Sequence, residues 1–407
     1  MRKLIFLIAI ATAGFSAKAQ SIDERIGAAM NSSDFFGLYD TYYNVPKDSI
    51  HPFLEIFSRC LLGNRFNRPD ISIPAFDELL NNQTSNLSLD LFLQSAVMYS
   101  MDLSRTGKNE EAYQLLSGVM SSVCQMVDST SLARYADMSA RYKALTRFSP
   151  YTISIKGEKG IVPFDTIPVG KAGSKQYLMR ITDTEINGMP AKITFDTGAG
   201  VNIITDSLAN AYGLEFLEAN AAATGVRTAT GRYAIAKELR LGNISVRDVP
   251  FYVIDISSHH DEADKYINVL EFVVGGELML QLKDVTLDFA AKEIQVPLAA
   301  SEPANVRPNM CFSSSMNFLS TAAVNQQPLL FQLDSGDAGY GRLNKYFFEA
   351  NREYLTTHCQ SDTINQAGIG GVWSVLCYKL PGATLSIGDS ETKIPEILVQ
   401  TEQPSGT

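Results

Sequence analysis

The sequence predicts an α+β multidomain protein, in which an N-terminal α-helical region precedes an all-β region built from two similar halves. Between residues 22 and 148, apolar residues recur at steps of three and four, which is typical of helices. From about residue 151, short strand-like runs alternate with Gly, Asn and Pro turns. Within this β region one segment is repeated 138 residues further along the chain, which indicates an internal duplication.

The composition of the 407 residues is that of an acidic globular protein. Hydrophobic residues make up 45% and charged residues 19%, which excludes a disordered or fibrous chain. Because 34 Lys and Arg face 44 Asp and Glu, the net charge is −10 and we expect no nucleic-acid partner. Five cysteines without a CxxC pair and four scattered histidines predict neither a disulfide scaffold nor a zinc site. We therefore expect no metal and no cofactor.

Residues 1–19 have the three parts of a signal peptide. Arg2 and Lys3 give a positive start, an apolar run follows, and Ala17-Lys18-Ala19 is a cleavage sequence. The apolar run, Leu4 to Ala13, is shorter than the roughly 20 residues that cross a bilayer. The sequence thus predicts export to an extracytoplasmic location (periplasm, cell surface or medium) and no membrane span.

Residues 20–148 predict a helical domain without catalytic residues. Pro52 is expected to open a helix that ends near Gly63. A second helix is expected over residues 87–107, and Asn109 is expected to cap a third. The buried stripe of this third helix comprises Ala112, Leu115, Leu116, Val119 and Met120. The last two helices resemble one tetratricopeptide hairpin, which would serve protein docking, although a plain helical bundle fits the pattern equally well.

The repeated segments are INGMPAKITFDTGAGVNIIT (186–205) and VNQQPLLFQLDSGDAGYGRL (324–343). In each segment a turn-forming Asn lies nine residues before an Asp, and a Pro lies six residues before it. The two aspartates, Asp196 and Asp334, are each followed by a hydroxyl residue and a glycine, namely Thr197-Gly198 and Ser335-Gly336. Because turn formation alone does not require this order twice, we interpret the segments as two copies of a functional loop.

A pair of facing aspartates has a specific chemistry. Two carboxylates about 3 Å apart cannot both ionise, so they share one proton and their titrations separate. The ionised member can take a proton from a bound water, while the protonated member polarises a carbonyl group. We predict Asp196 and Asp334 as this pair. The glycines allow a tight turn beneath the carboxylates and the hydroxyls hold the loops, which makes Thr197, Gly198, Ser335 and Gly336 supporting residues.

On these motifs, residues from about 151 to the end resemble the retropepsin-like aspartic peptidases, with two halves in tandem as in bilobed pepsin-like enzymes. The apolar residues before each Asp carry the resemblance, and so does Val273-Val274-Gly275 with the apolar run after it. The resemblance implies a bilobed all-β acid-protease domain, with lobe 1 at 151–300 and lobe 2 at 301–407, and a catalytic dyad of Asp196 and Asp334. It also implies flaps at two glycine-rich segments, with the candidates Gly225, Tyr233, Gly368, Gly370 and Trp373.

The sequence therefore predicts an exported aspartic endopeptidase that cleaves peptide or protein substrates as a monomer or homodimer. The alternative is an inactive relative that binds peptides or a partner protein in the groove between the lobes. Two features favour it: Asp337 adds a third carboxylate, and lobe 2 shows no second hydrophobic-hydrophobic-Gly element, so it is incomplete or completed by a partner chain. A solvated loop explains the acidic, His-bearing residues 255–264 better than a metal site does.

Overall fold

A computed structural model describes residues 20–169, 177–258, 260–261, 264–265, 268–301, 307–313, 315–369 and 371–402. The predicted signal peptide, residues 1–19, lies outside the described residues. The chain divides into two compact units: Met1–Arg147 with Asn305–Ser313, and Phe148–Ala304 with Ser314–Thr407. The first unit is mainly helical and the second is rich in strands, which confirms the predicted fold class.

Most helices of the first unit begin at a polar capping side chain or at a proline, which has no N–H to satisfy in the first turn. Ser21 and Glu24 form a reciprocal capping box, and the side chains of Ser88 and Asp128 cap two later helices. The helices are α1 (Ile22–Ser32), α2 (Phe35–Tyr43), α3 (Pro52–Arg65), α4 (Pro69–Asn82), α5 (Leu89–Arg105), α6 (Asn109–Val123) and α7 (Ser129–Leu145).

Two predicted helix boundaries are wrong. Helix α3 continues past Gly63, because this glycine lies against the backbone of Ser72 in α4. A Cβ at position 63 would lie 2.5 Å from the Ser72 nitrogen, so the glycine permits close helix packing rather than ending the helix. Asn109 is not a cap, since α6 already begins there and its side chain accepts a hydrogen bond from Ser104. The tetratricopeptide-like character of α5 and α6 stays a prediction.

A buried carboxylate links three of these helices. Asp102 of α5 is fully buried and accepts hydrogen bonds from Asn64 Nδ2 at 2.8 Å and Ser72 Oγ at 2.5 Å. It is also paired with Arg105, one turn further along α5. A buried charge is tolerated when it is paired and hydrogen-bonded in this way. Asp102 therefore holds α3, α4 and α5 together beside their apolar core.

Lobe 1 is formed by one large curved sheet with two short helices. Its elements are β1 (Thr152–Ile155), β2 (Lys159–Pro168), β3 (Tyr177–Ile181), β4 (Thr184–Ile186), β5 (Met189–Pro190), β6 (Ile193–Phe195), β7 (Ile203–Ile204), α8 (Asp206–Ala211), β8 (Glu215–Thr224), β9 (Thr228–Leu241), β10 (Ile244–Ile254), β11 (Phe272–Val274), α9 (Gly276–Leu282), β12 (Thr286–Asp288) and β13 (Glu293–Pro297). The strand order is β12-β13-β2-β3-β6-β11-β7-β10-β9-β4-β5, with β1 on β10 and β8 on β9.

Residues 307–313, which we call the connector, follow lobe 1 in the chain but belong to the helical unit. The sequence placed them in lobe 2. The guanidinium of Arg307 donates to both carboxylate oxygens of Asp40 at 2.7 and 3.0 Å, and Arg65 donates to the Ser313 carbonyl at 2.9 Å. Cys311 and Phe312, in the short strand β14 (Met310–Phe312), are buried. The connector is thus anchored to the helical unit by charge at one end and by apolar burial at the other.

Lobe 2 repeats the plan of lobe 1 in a smaller form. Its elements are β15 (Phe318–Val324), β16 (Gln327–Gln332), β17 (Arg342–Leu343), α10 (Lys345–Ala350), α11 (Arg352–His358), β18 (Gln360–Gly368), β19 (Gly371–Ile387) and β20 (Ser390–Gln400). In lobe 1, β7 runs parallel to β10, and in lobe 2 β17 runs parallel to β20. The long hairpins β8–β9 and β18–β19 also correspond.

One element of lobe 1 has no counterpart among the described residues of lobe 2. In lobe 1, β11 lies between β6 and β7, parallel to the first and antiparallel to the second. It contains the predicted Val273-Val274 pair and leads into α9. In the described part of lobe 2, no strand lies between β16 and β17. This agrees with the sequence, which shows no second hydrophobic-hydrophobic-Gly element there.

Cys359 and Cys377, the two cysteines of lobe 2 beyond β17, are both free. The register of β18 and β19 aligns Cys377 with Asp362, three residues beyond Cys359. At roughly 3.3 Å per strand residue this offset is about 10 Å, which exceeds the Cα separation that a disulfide spans.

Candidate active site

Each predicted aspartate stands at the end of a strand of its lobe. Asp196 follows β6, whose three residues are buried, and its backbone N–H donates to the Val274 carbonyl of β11 at 3.0 Å. Asp334 follows β16 by two residues, where the Leu333 N–H donates to the Phe318 carbonyl at 2.9 Å. Both aspartates are therefore held at the ends of ordered strands rather than in free loops.

Thr197 and Ser335 join the two loops through four reciprocal hydrogen bonds. The Thr197 N–H donates to Ser335 Oγ at 3.0 Å, and the Ser335 N–H donates to Thr197 Oγ1 at 2.9 Å. Each hydroxyl then donates to the strand of the opposite lobe: Thr197 to the Leu333 carbonyl at 2.9 Å, and Ser335 to the Phe195 carbonyl at 2.8 Å. Because every bond has its counterpart, the two loops face each other with near twofold symmetry.

Gly198 and Gly336 allow the two carboxyls to meet. Each glycine N–H donates to the aspartate of its own loop, Gly198 to Asp196 at 2.8 Å and Gly336 to Asp334 at 2.9 Å. Each glycine also lies against the opposite aspartate. A Cβ at position 198 would lie 2.2 Å from Asp334 Oδ1, and one at position 336 would lie 2.4 Å from Asp196 Oδ2. No side chain larger than hydrogen fits at either position while the carboxyls stay in place.

The two carboxyls are hydrogen-bonded to each other and titrate as a pair. Burial, the charge of Asp334 and the hydrogen bond to it raise the pKa of Asp196 to about 7. Burial and then the charge of Asp337 raise the pKa of Asp334, whereas hydrogen bonds from Gly336 and Asp196 lower it. Since the pKa values of both carboxyls are raised, the pair retains a shared proton above the ordinary titration range of aspartate. Asp334 is the more solvent-exposed of the two.

Asp337 is not a free third carboxylate. Its Oδ2 accepts a hydrogen bond from the Arg342 guanidinium at 2.5 Å, and its Oδ1 accepts one from the Gly339 N–H at 3.2 Å. Arg342 was missed by the sequence reasoning. The available signal was a cation five residues after Asp337, at the start of a strand.

The tips of the two long hairpins, which the sequence predicted as flaps, contact each other. Gly225 lies in the turn between β8 and β9, and Gly368 pairs with Gly371 at the end of β18–β19. The Arg227 N–H in the first turn donates to the Ile369 carbonyl in the second at 3.1 Å. Gly370 lies outside the described residues. A flap function for these hairpins stays a prediction.

The other two flap candidates differ in their distance from the tips. Trp373 pairs with Gln366, two residue pairs from the end of its hairpin. Tyr233 instead lies within the body of β9, where its buried ring contacts Tyr252 edge-on at 4.6 Å between centroids. Tyr233 therefore belongs to the packing of lobe 1 and not to the hairpin tip.

A search of the described ranges finds no group of three or more His, Cys, Asp or Glu side chains that could hold a metal. The same part of the chain has no helix with the length and hydropathy needed to cross a membrane.

One comparison with known proteins matches part of lobe 1. The family model described as gag-polyprotein putative aspartyl protease matches residues 182–262, which include Asp196 and the β8–β9 hairpin. No curated protein matches the chain. Over residues 182–262, the match supports the resemblance to retropepsin-like aspartyl proteases that the sequence predicted.

Proposed function

We propose that this chain is an exported aspartic endopeptidase in which Asp196 and Asp334 together activate water. The observation that carries the proposal is the meeting of the two carboxyls, each of which lies against the glycine of the opposite loop. The ionised member of the pair accepts a proton from a bound water, and the water oxygen attacks the peptide carbonyl carbon. The protonated member donates its proton to the carbonyl oxygen, so no covalent enzyme intermediate forms and no cofactor is needed.

Two features of the site support catalysis over simple binding. The four hydrogen bonds of Thr197 and Ser335 fix both loops, so the carboxyls are positioned before a substrate arrives. The raised pKa of Asp196 keeps one carboxyl protonated well above the ordinary titration range of aspartate. An acid and a base are therefore present together over the same range of pH.

The test compares Asp196→Asn and Asp334→Asn with Asp165→Asn, a matched control on the surface of lobe 1. Asp165 is exposed, pairs with Lys292 and accepts the N–H of the adjacent Thr166, so its replacement should leave activity unchanged. Cleavage of a peptide library is measured between pH 3 and pH 7, and folding is monitored by thermal denaturation. Both dyad variants should lose at least about 10³-fold in kcat/KM while remaining folded. Hydrolysis at the wild-type rate in either folded variant would refute the mechanism.

The second candidate function is peptide or partner binding without cleavage. The observation that favours it is the smaller lobe 2, in which no described strand lies between β16 and β17. A protein of this kind would bind a statine-type inhibitor or library peptides but would release no products. Binding without cleavage at any pH from 3 to 7 would favour this candidate over the peptidase.

Export rests on the sequence of residues 1–19 alone. If the leader is removed after Ala19, the protein recovered from the extracytoplasmic fraction will begin at Gln20, and N-terminal sequencing will detect this. Recovery from the cytoplasmic fraction of protein that still begins at Met1 would contradict export. Docking of protein substrates through the helical unit remains a further hypothesis of the same proposal.

A further inference from the structure

The loop after Asp196 is held by hydrogen bonds from the residues that follow β11. The Gly276 N–H at the start of α9 donates to the Ala199 carbonyl at 2.7 Å. The Gly275 N–H donates to the side-chain oxygen of Asn202 at 3.0 Å, and this buried asparagine also donates to the Pro250 carbonyl at 3.1 Å. The loop in lobe 1 is therefore tied to both α9 and β10.

The described part of lobe 2 has neither a strand nor a helix in the place of β11 and α9. At the third residue after the aspartate, however, the loops of both lobes make the same backbone hydrogen bond. In lobe 1 the Ala199 N–H donates to the Asp196 carbonyl at 3.3 Å, and in lobe 2 the Asp337 N–H donates to the Asp334 carbonyl at 3.3 Å. Asp337 thus occupies the position of Ala199, with a carboxylate where lobe 1 has a methyl group.

Arg342, the partner of Asp337, is fixed in the sheet of lobe 2. It lies in β17, where it is aligned with Leu398 of the parallel strand β20. Its neighbour Leu343 is buried in the core of the lobe. The side chains of Asp337 and Arg342 are only 24% and 33% exposed, so water screens their attraction less than it would at an open surface.

We propose that Asp337 and Arg342 are positioning residues, which tie the catalytic loop of lobe 2 to β17 and so take the place of the β11–α9 support of lobe 1. The inference rests on the proposed function, because the loop that they hold is the one that carries Asp334. It also replaces the interpretation of Asp337 from the sequence alone, in which a third carboxylate argues against activity. In the structure this carboxylate has a cation at 2.5 Å and accepts a loop N–H.

The Asp337→Ala variant distinguishes this proposal from the view that Asp337 impairs the dyad, because the two predict opposite changes in kcat. Asp337→Ala gives lobe 2 the residue that lobe 1 has at position 199, so relief of an impaired dyad would raise kcat. Loss of a positioning residue should instead lower kcat by about 10-fold or more with KM changed by less than about threefold, since a shift of about 1 Å at a reacting group costs up to about 10²-fold.

Arg342→Ala should lower kcat to a similar extent, and Arg342→Lys should recover most of the loss. The double variant, Asp337→Ala with Arg342→Ala, should be no slower than either single variant, because the two residues act as one unit. The matched control is the exposed pair Asp165 and Lys292 of lobe 1, whose alanine variants should keep kcat within about twofold. A higher kcat in Asp337→Ala, or losses that simply multiply in the double variant, would overturn the proposal.

Hydrogen exchange of the intact protein provides a readout that does not depend on activity. Peptides that cover residues 333–343 should exchange faster in Asp337→Ala and Arg342→Ala than in wild type, because the loop N–H groups lose their support. The control variants should leave these peptides unchanged. If wild type cleaves nothing, the proposed function fails but the exchange result still decides the positioning role. Unchanged exchange in both loop variants would overturn that role.

Discussion

Replacing Gly198 by alanine should separate the two carboxyls without removing either of them. The new Cβ would lie 2.2 Å from Oδ1, 2.3 Å from Cγ and 2.6 Å from Oδ2 of Asp334. Ordinary contact with a Cβ begins at 3.4 Å, so the loops must separate by about 1.2 Å. The Asp334 carboxyl accepts the Gly336 N–H, so it has little freedom to move away from the new Cβ.

The expected magnitude follows from this displacement. A misplacement of about 1 Å at reacting groups can cost about 10²-fold, which is about 2.7 kcal/mol of transition-state stabilisation. We therefore expect kcat/KM of Gly198→Ala to fall by about 10²-fold. Gly336→Ala should behave alike, since its Cβ would lie 2.4 to 2.6 Å from the atoms of the Asp196 carboxyl.

The assay is steady-state cleavage of a fluorogenic peptide selected from the library, with Gly339→Ala as the matched control. Gly339 lies in the same loop as Gly336, but a Cβ there would be 3.5 Å from its nearest neighbour, which is ordinary contact. The control should keep kcat/KM within about twofold. A folded Gly198→Ala variant as active as this control would refute the reasoning, because it would show that catalysis does not need the close approach of the two carboxyls.

Three further predictions concern stability. Thr197→Val removes a donor and an acceptor of the loop contact and should lower the free energy of unfolding by about 1–3 kcal/mol in a urea titration; an unchanged midpoint would contradict this. Because folding raises the pKa of Asp196, its proton stabilises the native state fully below about pH 4, and this contribution disappears as pH rises through about 7. Asp196→Asn should therefore flatten the unfolding free energy over that range, and an identical slope in both proteins would exclude it. Gly118→Ala, at an exposed position within α6 with no atom within 4 Å of the new Cβ, should raise stability by about 1 kcal/mol in thermal denaturation, whereas a loss would argue against a helix there.

The features that the sequence predicted well depend on local chemistry. Asn187 and Asn325, the turn-forming residues that lie nine positions before the aspartates, both have positive φ angles, 50° and 48°. The order of helices before strands also follows from local periodicity. In both cases a few adjacent residues contain the whole signal, so a single sequence is enough to reveal it.

The features that the sequence did not predict depend on contacts between distant residues. Gly63 looked like a helix end, but its neighbour is Ser72 on the next helix. Asp337 looked like an unpaired charge, because Arg342 stands five residues later in the sequence but only the folded chain brings its guanidinium to 2.5 Å from the carboxylate. The hydrogen bond between Arg227 and Ile369 likewise joins residues from different lobes. Such contacts exist only after folding, and no periodicity or motif specifies them.

The connector determines how this chain can be shortened. A protease fragment that starts at Phe148 would keep Arg307, Cys311 and Phe312 but would lose the helices that pair with or cover them. A buried thiol and an aromatic ring would then face water on a short strand, which invites oxidation and self-association. The isolated helices would in turn leave the guanidinium of Arg65 without the Ser313 carbonyl. Point variants of the full chain, rather than excised halves, are therefore the appropriate material for assigning roles to its parts.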